Sequence, residues 1–156
     1  MREKAKALGG NDPQCDPAYA WEAGFDHFNV CVLTIDQCQH IIDSALNAAG
    51  CQPVTVYQGP SCRYSWCMPV LRRICMQGPS RKGRGGMNVA TVLHEVAHQI
   101  TYDAYGNSVQ DHGPTWLAVF RKLLIEHGVM TEKEFRLTAR PFGLKWRNLT
   151  KTPRLP

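Results

Sequence analysis

The chain contains no run of about 18 apolar residues, the length a helix needs to cross a bilayer, and its first residues, MREKAKALGG, carry basic charge with no apolar stretch behind them. These absences argue against a membrane-spanning helix, a membrane partner and export by a signal peptide, so a cytoplasmic location is expected. Cys-x-x-Cys steps are also lacking, although the sequence holds 7 cysteines. A structural metal site built on paired thiols therefore has little support. The odd count without an export signal favours reduced thiols over a disulfide framework. Cys31, Cys38, Cys62, Cys67 and Cys75 fall in segments of strand or helix character, where a free thiol behaves as a small buried apolar group. Internal repeats and low-complexity tracts are missing too. At 156 residues, 44% hydrophobic and 20% charged, the chain is expected to form one globular domain with tails.

The formal charge of +5 is unevenly placed. Arg72, Arg73, Arg81, Lys82 and Arg84 cluster before the middle of the chain, and Arg136, Arg140, Lys145, Arg147, Lys151 and Arg154 fill its end. Such patches favour an anionic partner, nucleic acid above all. A solvated surface is the plainer reading, and no recognised nucleic-acid-binding motif accompanies the charge.

Residues 1–33 include Gly9, Gly10, Pro13 and Pro17 without a clear period and read as an irregular lead-in. Thr34-Ile35-Asp36-Gln37 is a capping-box pattern, followed by Ile41, Ile42, Leu46 and Ala49 at helical spacing and Gly50 as a stop. Short β-rich runs then follow at Val54–Gln58, Cys62–Met68 and Leu71–Gln77, predicting a small antiparallel sheet of about three strands with the last at its edge. The glycine-rich stretch 78–86 reads as a loop, and a helix is expected from Asn88 to Tyr105. Pro114 opens another helix that Gly128 stops, and Thr131 to Glu134 forms a second capping box before a short last helix. The fold class is α+β: a domain over 34–140, with a basic tail at 141–156.

His94-Glu95-Val96-Ala97-His98 has the form H-E-x-x-H. On a helix, residues i and i+4 stack one turn apart, so two imidazoles can grip one ion while Glu95 lies beside it without ligating. The helical wheel agrees. Val89, Leu93, Val96, Ala97, Ile100 and Ala104 gather on one face, and His94, Glu95, His98, Thr101, Tyr102 and Tyr105 on the other. An apolar back and a polar front facing a cleft are what a site helix needs.

Zinc requires a third protein ligand. A metzincin pattern fails because Thr101 and Ala104 stand where Gly and His belong. Glu126 lies near the far end of the next helix, whereas His112, in Asp111-His112-Gly113-Pro114, sits at its mouth. His112 is the best candidate. Asp111 is the next, or else a carboxylate orienting a histidine.

His94-Glu95-Val96-Ala97-His98 followed by His112-Gly113-Pro114-Thr115-Trp116 resembles the H-E-x-x-H…H-G-x-x-[FW] signature of SprT/Spartan-like zinc metallopeptidases. It is more similar still to small bacterial and phage proteins described as metallohydrolases. In those, an I-x-[LM]-P-like strand and an arginine-containing loop precede the motif helix, places taken here by Ile74-Cys75-Met76-Gln77 and Ser80-Arg81. The resemblance covers roughly residues 34–127, and the zinc ribbon of SprT-like proteins is absent. It implies a minimal zincin-like fold, one Zn2+ per chain on His94, His98 and His112, and a peptide or protein substrate.

Bound water on such a zinc falls in pKa toward roughly 7, Glu95 takes its proton, and Tyr102 or Tyr105 could donate to the developing oxyanion. A peptide could add to the sheet edge through main-chain hydrogen bonds. Two alternatives compete: a nucleic-acid-associated protein that uses its basic loop and tail for binding and the metal for structure, and a zinc amidase acting on a non-protein substrate.

Overall fold

The computed structural model describes residues 12–27, 32–59, 64–78 and 87–149. Its first element overturns the expectation of an irregular lead-in, because Cys15–Glu22 forms a helix (α1) that runs into a 3-10 turn at Ala23–His27. Pro17 does not prevent this. It stands in the first turn, where backbone N–H groups have no intrahelical acceptor to lose. Ala18, Trp21 and Phe25, at i, i+3 and i+7, are buried to 0%, 2% and 3% exposure. Trp21 meets Phe25, Phe120 and Phe135 edge-on, and its indole N–H donates to Thr138 Oγ1 at 3.0 Å. Aromatic burial of this extent anchors the segment in the core.

The capping box at Thr34 forms as expected: the Thr34 hydroxyl accepts from Gln37 N, Gln37 Oε1 accepts from Thr34 N, and helix Ile35–Ala48 (α2) follows. Three strands come next, Thr55–Gln58 (β1), Trp66–Met68 (β2) and Arg73–Met76 (β3). The sheet is mixed, in the order β1-β3-β2, with β3 parallel to β1 and antiparallel to β2. Two expectations are thereby corrected. The sheet is not antiparallel throughout, and the third strand lies in the centre rather than at the edge. Burial explains the placement: Ile74, Cys75 and Met76 are almost wholly buried, whereas the ends of β1 and the start of β2 are exposed. The most apolar strand takes the position covered on both sides.

Asn88 caps helix Val89–Tyr105 (α3) by accepting from Thr91 N at 2.8 Å. Helices Pro114–Glu126 (α4) and Glu132–Ala139 (α5) complete the α+β fold, α5 with its capping box in place. The beginning of the presumed basic tail belongs to the domain. Leu144 is buried, Trp146 packs edge-on against Phe135, and Arg147 N donates to Pro114 O. No helix among the described residues is long and apolar enough to cross a membrane.

Candidate metal centre

Helix α3 carries His94 and His98 one turn apart, and their Nε2 atoms lie 3.1 Å from each other. His112 precedes α4, and its Nε2 is 3.3 Å from His94 Nε2. Gly113 keeps the turn before α4 tight, since a Cβ there would come within 2.9 Å of Gln110 Cβ. The three histidines form a group able to hold a metal ion. Trp116 lies beneath all of them, stacked on His98 (5.2 Å, 24°) and edge-on to His94 and His112. It is fully buried, and its indole N–H has no partner among the described residues.

The supports behind the rings come from the segment read as irregular. His94 Nδ1 meets both Glu22 oxygens, at 2.7 and 3.0 Å, and His112 Nδ1 meets Asp12 Oδ2 at 2.8 Å. Asp12 also accepts from His112 N, and Gln14 Nε2 donates to His112 O while Gln14 Oε1 accepts from Lys145 N. Carboxylate–histidine pairs of this kind fix ring orientation and turn the opposite nitrogen toward an ion. Asp12, not Asp111, therefore orients His112. Tyr19 lies over the rings, stacked on His94 (5.6 Å, 23°) and tilted against His112 (5.2 Å). Sequence reasoning missed Asp12, Tyr19 and Glu22. The available signal was Cys15, Tyr19 and Glu22 at i, i+4 and i+7, one face of a helix, beside the apolar stripe Ala18, Trp21 and Phe25.

Enclosure by α1 and α4 makes the polar face of α3 an interior rather than an open cleft, with His94 and Glu95 only 3% and 6% exposed. Burial lowers the His94 and His98 pKa values well below the ordinary imidazole value, with the neighbouring imidazoles adding to it, so these rings are neutral at pH 7. Burial pushes Asp12 up, but its hydrogen bonds from the His112 ring and backbone outweigh this and hold it below its usual value. As an ionised acceptor it requires the proton on His112 Nδ1, which leaves the His112 Nε2 lone pair facing inward. Glu22 and Glu95 are both pushed up to about 8 by burial, Glu95 further by Glu22. The centre thus gathers inward lone pairs and two carboxyls that burial disfavours as anions, with no Lys or Arg paired to either carboxyl among the described residues. A metal cation fits this donor set, since its charge satisfies the lone pairs and stabilises the carboxylates.

Other predicted residues stand apart. Tyr102 and Tyr105 follow His98 by one and nearly two turns, and neither packs on the imidazoles. Glu126 pairs with Lys122. A second metal-capable group, Asp12, Cys15 and His112, shares His112 with the first. Of the basic cluster, Arg72 is committed to structure: it forks onto Asp103 at 2.8 and 3.1 Å and donates to the Gln52 and Pro53 carbonyls. Arg81, Lys82, Arg84, Lys151 and Arg154 lie outside the described residues, as do Cys31 and Cys62. Cys38, Cys67 and Cys75 take part in no disulfide; Cys38 and Cys75 are buried as expected, and Cys67 is half-buried. No protein-family model, curated protein or solved structure matches this chain.

Proposed function

We propose that this chain is a zinc-dependent hydrolase of the SprT/Spartan-like kind, cleaving peptide bonds with Glu95 as general base and one zinc on His94, His98 and His112. The observation that carries the reading is the convergence of three imidazole Nε2 atoms, the buried His94 and His112 and the half-buried His98, with the first two rings held from behind by Glu22 and Asp12. Three neutral imidazoles leave a metal its full charge and an open position, as hydrolytic zinc sites do and closed thiolate sites do not. When bound, zinc lowers the pKa of water from about 16 toward roughly 7 and polarises a carbonyl. Glu95 is buried next to His94 on α3, and a cation on the imidazoles would hold its carboxyl as the anion that a base must be. It accepts the proton of the attacking water and delivers it to the leaving nitrogen. Trp116 beneath the imidazoles supports the H-G-x-x-W half of the family resemblance.

A peptide would add to β2 rather than β3. Strand β2 is the edge next to α3, where Cys67 contacts the buried Gln99. A non-protein amide would use the same groups, and substrate trials separate the two.

The purified protein should carry about one zinc per chain and cleave an unstructured protein such as casein. Glu95→Gln should keep the metal and lose cleavage, because the base is not a ligand. Full activity in Glu95→Gln on a substrate that the wild type cleaves would overturn the mechanism.

A further inference from the structure

Tyr19 stands where the centre meets solvent. Its ring stacks on His94 and tilts against His112, yet it is 50% exposed while those imidazoles are 3% and 6% exposed. The i, i+4, i+7 spacing of Cys15, Tyr19 and Glu22 sets it on the face of α1 whose Glu22 holds His94 Nδ1. Its hydroxyl makes no hydrogen bond with any described residue. The Glu95 carboxyl is among the charges that act on the phenol. A donor is therefore left free on the exposed side of the imidazoles, within the field of the proposed base.

We propose that Tyr19 is a catalytic residue of the hydrolysis proposed above: its phenol donates a hydrogen bond to the carbonyl oxygen of the scissile amide as that oxygen gains negative charge. This assignment rests on the hydrolase reading and replaces Tyr102 and Tyr105 in the oxyanion role. In the reaction, the water oxygen bonds to the carbonyl carbon and the C–N bond breaks. One water proton passes through Glu95 to the leaving nitrogen, and the phenol keeps its own proton throughout. Stacking on His94 holds the ring in place, so the hydroxyl needs little reorganisation when charge develops.

The test compares wild type, Tyr19→Phe and Tyr19→Ala in three measurements: zinc per chain, calorimetric titration of the zinc-loaded protein with inorganic phosphate, and casein cleavage. Phosphate serves as a stable tetrahedral oxyanion. Tyr19→Phe keeps the ring and should retain one zinc, bind phosphate about 10-fold or more weakly, and lose about 10²-fold in kcat with KM little changed. Tyr19→Ala should show the same loss together with weaker zinc binding, since the stacking is gone. A fully metallated Tyr19→Phe that binds phosphate and cleaves casein like the wild type overturns the role of Tyr19 and leaves the metal centre standing. A wild type that neither holds zinc nor cleaves overturns the hydrolase reading, and this proposal with it.

Discussion

Glu22 and His94, 72 residues apart in sequence, are joined at 2.7 Å through the imidazole Nδ1. The carboxylate comes from α1 and the ring from α3, so the orientation of the motif histidine is not set by its own helix. Loss of an orienting carboxylate typically costs about 10- to 100-fold in metal affinity. Glu22→Gln and Asp12→Asn should each weaken zinc binding by that factor in a competition titration with a chelator, while Asp111→Asn should change it little. Equal affinity in all three variants would dissociate the carboxylates from the metal.

The third ligand can be tested separately. His112→Ala should lose most zinc affinity and all hydrolysis, whereas Glu126→Ala, whose carboxylate pairs with Lys122, should keep both. Metal analysis after dialysis distinguishes them, and the reverse ranking would place the third ligand on α4.

In the metal-free protein the two motif imidazoles should contribute a loss of stability in acid. His94 and His98 have pKa values held well below 6.5 in the fold by burial. The unfolded chain takes up protons near pH 6.5 that the folded one refuses, so stability is full above that pH and falls as pH drops through it. The slope is up to about 1.4 kcal/mol per pH unit for each ring. Glu22 and Glu95, raised to about 8 in the fold, act in the opposite sense and add stability as pH falls through 8. The imidazole contribution is therefore read as the difference in urea stability between the apoprotein and its His98→Ala variant from pH 8 to 5. A difference that stays constant over that range would contradict neutral, enclosed imidazoles.

Trp21→Ala should cost about 3–5 kcal/mol, the usual range for a buried large aromatic truncated to alanine. It should also lower zinc affinity, because Trp21 anchors the helix that carries Glu22. Thermal unfolding and a zinc titration of the same variant test both effects.

Arg72 has a left-handed backbone (φ 52°) and ties the turn before β3 to Asp103 of α3. Arg72→Ala should destabilise by about 1–2 kcal/mol, the scale of hydrogen bonds to charged groups at a partly exposed position. Arg73→Ala, on an exposed strand end, should be close to neutral in the same denaturation assay.

Helix starts and stops were legible because their chemistry is local. Thr34, Asn88 and Thr131 cap as their side chains predict, and Gly50 and Gly128 end helices with positive φ. The grouping of the H-E-x-x-H histidines with His112 was legible because helical spacing and a glycine-proline turn are written in adjacent residues. Strand order was not, since it depends on which strand is buried on both sides, and that is a relation among segments. Asp12, Tyr19 and Glu22 escaped notice for a related reason: two prolines masked an eight-residue helix whose partners lie on α3, α4 and α5.

The docking of α1 onto His94 and His112 would make its folding and metal occupancy thermodynamically linked quantities. Whatever factor the α1 carboxylates add to metal affinity, bound metal must return to the docked state of α1, because the two orders of assembly close one cycle. A chelator should then loosen residues 12–22 before the rest of the domain, and amide exchange there should report metal occupancy even though the imidazole ligands themselves sit on α3 and before α4.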